Sequence, residues 1–155
     1  MRAAVLTIST SRAGGSGAED LSGPALVELC AAAGLDTVHE TVADDREAIA
    51  AALRRLVDEE GVRFVFTSGG TGMTADDVTP EATRDVIERD APGFAETIRQ
   101  ESRKHTPLGI LTRGVSGIRG RTLIVNFPGS PKGVRESWPV VEPTLRHAAG
   151  TLERA

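Results

Sequence analysis

Residues 64–83, FVFTSGGTGMTADDVTPEAT, decide the fold of this 155-residue chain. The apolar run Val62–Phe66 predicts a buried strand. The small residues of Ser68–Gly72 predict a tight turn, on which a ligand can lie directly against main-chain N–H groups. Thr79-Pro80-Glu81 then predicts a helix start, with Thr as N-cap, Pro at the first helical position and an acid in the first turn. A strand, a glycine turn and a helix start in this order favour an anion site at the end of a sheet.

The glycine turn alone does not identify the ligand. It lacks the Lys of a Walker-type loop and the spacing of the dinucleotide fingerprint, so an ordinary strand-to-helix turn is an alternative. Asp76 and Asp77 follow the turn. Acids beside an anion site repel the anion unless a cation lies between them, and carboxylate oxygens are ligands for divalent cations. The acids therefore favour a site for a phosphate and its metal.

Composition excludes several classes of protein. Hydrophobic residues make up 39% and charged residues 26%, which predicts one soluble globular domain over residues 1–155. Aromatic residues are only 3% and the net charge is −4, so we expect no nucleic-acid partner. We find no signal-peptide pattern and no apolar run of transmembrane length, so we expect no membrane association and a cytoplasmic location. Cys30 is the only cysteine and is expected to be a buried helix residue.

Two further strands carry candidate residues at their ends. Ala3–Ile8 predicts a buried strand that leads into a cluster of hydroxyls, of which Ser9 and Thr10 are candidate binding residues. Thr37–Val42 predicts a second strand. Asp45 fits the N-cap of the following helix, but capping does not explain Asp44. Asp44 and Asp77 could together form a two-carboxylate cation site.

The remaining chain predicts alternating helices and strands. The expected elements are a helix opened by Asp20–Pro24 and stopped at Gly34, helices Thr79–Arg89 and Phe94–Lys104, strands Leu108–Leu111 and Thr122–Phe127, and a closing helix capped by Ser130 and interrupted at Pro139 and Pro143. This alternation predicts a three-layer α/β/α sandwich around a mostly parallel sheet. Four polar turns would gather at one edge of that sheet to form a pocket: Ser9–Arg12, Ala43–Asp45, Ser68–Asp77 and Pro128–Lys132.

Several ordered motifs together resemble a known family. They are Thr67–Gly72, Asp77–Ala82 and Asn126–Pro131, supported by Asp20–Pro24, Asp44-Asp45, Pro92–Phe94 and Gly117–Gly120. The sequence resembles the molybdenum-cofactor biosynthesis family that includes bacterial MogA and MoaB and the corresponding domain of animal gephyrin. The resemblance covers nearly the whole chain.

The resemblance implies a molybdopterin-binding α/β domain, usually a homotrimer and in some members a hexamer. Active members use MgATP to adenylylate the terminal phosphate of molybdopterin, with release of pyrophosphate, before molybdenum insertion. Contact with the molybdenum-insertion enzyme is a further implied partnership. Carried over residue by residue, the two functional acids, which would hold Mg²⁺, are Asp44 and Asp77. The implied substrate-binding residues are Ser68, Gly69, Gly70, Thr71, Gly72, Pro128, Gly129 and Ser130.

Two departures from the family pattern leave the activity open. Family members often have Arg immediately before the second acid, where this chain has Asp76, and Pro before the first, where it has Ala43. A cation or another arginine, namely Arg12, Arg113 or Arg119, could compensate for the added negative charge. A molybdopterin-binding protein of the same fold without adenylyltransferase activity is the alternative. A scaffolding trimer that delivers intermediates between cofactor enzymes is a third hypothesis.

Overall fold

The computed structural model describes residues 1–9 and 21–154. Its strands are β1 (Arg2–Ser9), β2 (Asp36–Ala43), β3 (Phe64–Ser68), β4 (Arg89–Asp90), β5 (Ser116–Arg119) and β6 (Thr122–Phe127). Its α-helices are α1 (Ser22–Ala32), α2 (Arg46–Arg54), α3 (Thr79–Arg84), α4 (Pro92–His105), α5 (Pro131–Val141) and α6 (Leu145–Leu152). A π-helical turn (Arg55–Glu59) extends α2, and 3₁₀ turns cover Pro107–Leu111 and Glu142–Thr144.

The six strands form one mostly parallel sheet in the order β2-β1-β3-β6-β5-β4. The pairs β1–β2, β1–β3 and β3–β6 are parallel, whereas β5 runs antiparallel to both β6 and β4. The carboxyl ends of β2, β1, β3 and β6 therefore lie side by side at one edge, as the sequence predicted.

Side chains alternate between two cores, one on each face of the sheet. On β3, Phe64 and Phe66 face a core shared with α1, α4, α5 and α6, where Trp138 packs edge-on against Phe66 at a ring-centroid distance of 5.4 Å. Val65 faces the opposite core, which includes Leu53 of α2. Helices thus cover both faces, which confirms the three-layer α/β/α fold. Within the described ranges, no helix has the length and apolar character needed to span a membrane.

The predicted strand Leu108–Leu111 is wrong, because these residues lie in a 3₁₀ turn. Pro107 begins the turn, and the hydroxyl of Thr106 accepts a hydrogen bond from the amide of Leu108 at 3.3 Å. Gly109 packs so tightly on α4 that a Cβ would come 2.7 Å from the main-chain nitrogen of Arg103. The apolar side chains of this turn point outward, so its hydrophobicity does not mark a buried strand.

The strand predicted over Val62–Phe66 is observed two residues later, as β3 over Phe64–Ser68. The helix predicted over Thr79–Arg89 is too long. Helix α3 ends at Arg84, and the chain then joins the sheet edge as β4. The amide of Glu88 donates to the carbonyl of Ile118 at 2.8 Å, which draws the segment into pairing with β5. Local helix propensity is overridden here by a tertiary hydrogen bond.

Two of the three predicted helix caps, Asp45 and Ser130, are confirmed. Asp45 caps α2 by accepting a hydrogen bond from the amide of Ala48 at 2.8 Å, and Ser130 caps α5 by accepting from Gly133 at 3.0 Å. Gly34 ends the α1 region with a positive φ of 79°. The closing helix is interrupted at Glu142–Thr144, which contains Pro143, as predicted. The break predicted at Pro139 is wrong, because α5 continues through Pro139 to Val141.

Candidate active site

Main-chain contacts join the predicted polar turns at the sheet edge. The amide of Asp44 donates to the carbonyl of Ser9 at 3.2 Å, which attaches the end of β2 to the end of β1. The amide of Gly69 donates to the carbonyl of Phe127 at 3.4 Å, which brings the glycine turn to the end of β6. Gly129 lies against the same turn, since a Cβ on it would be 3.0 Å from the Cα of Gly69. The glycine turn and the Pro128–Lys132 turn thus contact each other, whereas the Ala43–Asp45 turn contacts the end of β1. Thr10 and Arg12 lie outside the described residues.

The glycine turn requires glycine at two consecutive positions. Gly69 and Gly70 have φ values of 94° and 68°, in the region that L side chains rarely adopt. A Cβ on Gly69 would lie 2.9 Å from the carbonyl oxygen of Ile8, and one on Gly70 would lie 2.2 Å from Thr79 Oγ1. The turn is therefore shaped by backbone packed closely against β1 and α3.

Thr79 does not have the predicted capping role. Val78 occupies the N-cap position of α3, and Pro80 lies in its first turn as expected. The Thr79 hydroxyl instead donates to the carbonyl of Gly69 at 3.0 Å, and its amide donates to Gly70 at 3.1 Å. Thr79 thus fastens the helix to the glycine turn that it follows.

In the glycine turn, Ser68, Gly69 and Thr71 are buried. Ser68 is fully buried and accepts a hydrogen bond from Ser22 Oγ at 3.1 Å, and Thr71 is 6% exposed. Gly70 and Gly72 are partly exposed. A ligand at this turn would therefore meet main chain before it met the side chain of Ser68.

Asp77 is held in a defined orientation at the end of the same segment. Its Oδ2 accepts hydrogen bonds from the amide of Thr74 at 2.9 Å and from Thr74 Oγ1 at 2.8 Å, while its own amide donates to the Thr74 carbonyl at 3.1 Å. Gly72 lies directly beneath the carboxylate, since a Cβ there would be 2.7 Å from Oδ2. Residues 72–77 therefore form a compact turn that holds the Asp77 carboxylate in one orientation.

Arg113 contacts this turn from a distant part of the sequence. Its Nε donates to the carbonyl of Gly72 at 2.7 Å, and its Nη2 donates to the carbonyl of Asp77 at 2.7 Å. Nη1 and Nη2 also donate to the carboxylate of Glu81 at 2.9 and 3.0 Å. This ion pair lowers the pKa of Glu81 and raises the pKa of Arg113 from their ordinary values. Of the arginines weighed as compensating for Asp76, Arg113 is at the turn, whereas Arg119 pairs with Asp58 at 2.8 Å.

Asp44 lies on the other side of β1 from the glycine turn, and both of its carboxylate oxygens are shielded from solvent. Neighbouring strands are about 4.8 Å apart, so β2 and β3 are separated by roughly 10 Å across β1. Among the described residues, no group of three or more His, Cys, Asp or Glu is arranged to hold a metal ion. A cation shared by Asp44 and Asp77 remains a prediction.

The β6–α5 turn borders a cavity of about 230 Å³. Pro128 and Ser130 line it, together with Lys132, His105 and Glu136. Lys132 Nζ lies 3.8 Å from the Glu136 carboxylate, and His105 Nδ1 lies 3.6 Å from it. The cavity thus offers hydroxyl, cationic and anionic groups beside the predicted substrate-binding residues.

Sequence reasoning did not identify the role of Asn126. This residue lies on β6 and its side chain is buried, with only 2% of the residue exposed. Its Nδ2 donates to the hydroxyls of Thr67 at 3.0 Å and Thr83 at 3.1 Å, and its Oδ1 accepts from the amide of Val115 at 3.1 Å. The signal was an amide residue inside an otherwise apolar strand. Asn126 connects β3, α3 and the segment that carries Arg113.

Comparisons with known proteins agree with this architecture. A protein family described as "Probable molybdopterin binding domain" matches residues 4–147. The chain belongs to the MogA and MoaB family of molybdenum-cofactor biosynthesis proteins. It is 41% identical over 137 residues to a molybdopterin adenylyltransferase of Helicobacter pylori strain J99, covering 86% of this chain and 78% of that protein. It is 40% identical over 141 residues to the Escherichia coli K12 molybdopterin adenylyltransferase, a match that covers 88% of this chain and 71% of the E. coli protein.

A solved relative shows the same fold over nearly the whole of this MogA/MoaB-family chain. The molybdopterin biosynthesis enzyme MoaB of Thermus thermophilus superposes with a TM-score of 0.89 at 40% sequence identity. The match covers 99% of this chain and 97% of the Thermus protein. The family and the fold that the sequence motifs predicted are both confirmed.

Proposed function

We propose that this chain is a molybdopterin adenylyltransferase, which transfers the adenylyl group of ATP to the terminal phosphate of molybdopterin and releases pyrophosphate. The observation that carries the proposal is the turn formed by residues 69–77, where a glycine main chain and the oriented carboxylate of Asp77 lie on one segment. Relatives about 40% identical over most of the chain carry that activity in their names.

The chemistry of the reaction matches what this segment can supply. The molybdopterin phosphate must attack the α-phosphorus of ATP, and both groups are anions that repel each other. A phosphate monoester is already largely ionised at neutral pH, so the protein need not provide a strong base. Main-chain N–H groups of the glycine turn would hold a phosphate at a fixed angle, which favours attack.

The two acids would serve as ligands for Mg²⁺. This ion is commonly bound by one or two carboxylates, with phosphate oxygens and water completing its shell, so the donor set of Asp44 and Asp77 fits it. Bound Mg²⁺ would offset phosphate charge. The hydrogen bonds from Thr74 both end on Oδ2 of Asp77, and no described residue donates to its Oδ1. This arrangement would present Oδ1 to the ion.

We propose that Ser130 and the cavity beside it bind a portion of the molybdopterin substrate. Thr71 and Gly129 belong to the same proposed pocket on the strength of the family motifs, and Ser9 because it ends β1 at the same edge of the sheet. Thr10, the other hydroxyl candidate beside Ser9, lies outside the described residues. Pro128 and Ser130 line the cavity, and Gly129 between them packs against Gly69 of the glycine turn. ATP and molybdopterin would therefore bind at neighbouring turns.

We also propose that the protein is a homotrimer, as the family resemblance implies. Leu108 and Ile110 are 67% and 66% exposed on the 3₁₀ turn, and such apolar side chains would suit a contact between copies. Sedimentation equilibrium would test this assembly, and a monomer across micromolar concentrations would contradict it.

The activity is tested by incubating the protein with molybdopterin and MgATP, then measuring pyrophosphate and the mass of the adenylylated product. Product formation that requires all three components supports the proposal. A second function, molybdopterin binding without adenylyl transfer, is favoured by Asp76, which puts an exposed acid beside the site. Tight pterin binding without ATP binding or pyrophosphate release would establish that second function.

A further inference from the structure

Residues 72–77 carry the proposed catalytic acid but belong to no helix or strand. The turn is closed internally by the contacts between Thr74 and Asp77. These contacts orient the carboxylate relative to its own turn. They do not fix the turn relative to the rest of the protein, and the contacts of Thr79 with Gly69 and Gly70 hold only the chain on either side of it.

The guanidinium of Arg113 holds both ends of this turn. Gly72 and Asp77 are the first and last residues of the segment, and their carbonyls accept hydrogen bonds from Nε and Nη2 at 2.7 Å each. The amide of Arg113 also donates to the carbonyl of Thr71 at 2.8 Å. One residue thus ties down the start and the end of the turn.

The same guanidinium links the turn to helix α3. Its two-point pair with Glu81 uses the planar fork geometry that arginine shares with no other side chain. Since an arginine has five N–H donors, these four hydrogen bonds leave one for any other acceptor. A phosphate could engage this side chain fully only by displacing those bonds, so the geometry favours holding the turn over binding substrate.

Arg113 is itself held from the opposite side. On α4, Arg99 Nη1 donates to the carbonyl of Gly114 at 2.8 Å and to that of Thr112 at 3.3 Å. The two residues that flank Arg113 are therefore anchored to α4, which fixes the main chain that carries the Arg113 side chain.

We propose that Arg113 is a positioning residue for the adenylyl transfer, fixing residues 72–77 so that Asp77 faces the reacting phosphates. This inference rests on the proposed function. Lysine at this position would keep the positive charge near Glu81 but could not also bind the carbonyls of Gly72 and Asp77, because it lacks the planar fork.

The test compares Arg113→Lys with wild type by two independent measurements. Hydrogen exchange of the amides in residues 72–77 needs no substrate, and we expect it to become about tenfold faster in the variant. We expect kcat for pyrophosphate release to fall by roughly tenfold to a hundredfold, with a smaller change in KM for ATP. In Arg113→Ala, added guanidinium ion should recover part of the lost rate.

Arg119→Lys is the matched control. Arg119 also makes a two-point pair, with Asp58 at 2.9 and 2.8 Å, and donates to a main-chain carbonyl, that of Val86, at 3.1 Å. It makes no described contact with residues 72–77. We expect its kcat to stay within about threefold of wild type, as for a surface ion pair.

Unchanged exchange in residues 72–77 of Arg113→Lys would overturn the inference, even if kcat falls, since the loss would then come from direct contact with substrate. Unchanged kcat in an active protein would overturn it as well. If wild type releases no pyrophosphate, the proposed function fails, while the exchange measurement still decides whether Arg113 holds the turn.

Discussion

The hydroxyl of Thr79 donates a hydrogen bond to the carbonyl oxygen of Gly69 across 3.0 Å, at the point where the glycine turn passes over the start of α3. The contact is possible only because Gly70, the next residue, has no side chain. The shape of the proposed phosphate site thus depends on a helix residue ten positions downstream.

We predict that Gly70→Ala disrupts this contact. An added Cβ would lie 2.2 Å from Thr79 Oγ1, and the φ of 68° already disfavours alanine. Gly34→Ala is the control, because Gly34 has a similar φ of 79° but nothing within 4 Å of an added Cβ. The free energy of unfolding should fall by about 1–2 kcal/mol in Gly34→Ala, and by at least about 1 kcal/mol more in Gly70→Ala.

Urea denaturation followed by Trp138 fluorescence measures both changes, since Trp138 is buried against Phe66 and Phe127. Equal losses in the two variants would mean that the close approach of Gly70 to Thr79 does not matter for stability.

The Arg113–Glu81 pair predicts a particular pH dependence. Arg113 lowers the pKa of Glu81 in the folded protein, so below the ordinary value of 4.5 the unfolded chain binds more protons at this site. The stabilisation is therefore fully present above that pH and is lost as pH falls through the lower folded value. Glu81→Gln should be less stable than wild type at pH 7, and the difference should shrink below about pH 4.5.

Urea denaturation of both proteins at several pH values checks this expectation. Asp58→Asn should behave in the same way, because Arg119 lowers the pKa of Asp58. A difference between wild type and Glu81→Gln that grows on acidification would contradict the assignment.

Burial should make Cys30 unreactive in the folded protein. Desolvation raises the pKa of its thiol to about 12, although a hydrogen bond with Thr37 acts in the opposite direction. At pH 8 only about one molecule in ten thousand would then carry the reactive thiolate. We expect a disulfide reagent to modify Cys30 only slowly in the native protein and rapidly in concentrated guanidinium chloride; rapid native labelling would contradict its burial.

The fold could be predicted from the sequence where the signals are local. Asp45 and Ser130 cap helices, and Gly34 ends one, through contacts within a few residues. The 3₁₀ turn at Leu108–Leu111 was missed because an apolar run does not show which way its side chains point. The local residue pattern predicted the glycine turn and the acids that follow it, but the Arg113 guanidinium contacts residues 32 to 41 positions away. No periodic pattern indicates a partnership at that separation.

The most direct measurement of the central claim is the single-turnover rate of adenylyl-molybdopterin formation by wild type, Asp77→Asn and Asp44→Asn in the presence of MgATP. We predict a loss of at least about a hundredfold in each variant, because each removes a charge that would stabilise the transferring phosphates through the cation. Asp76→Asn removes an exposed acid that is not proposed to hold the cation, so it should not lower the rate. A wild-type rate in Asp77→Asn would contradict the account.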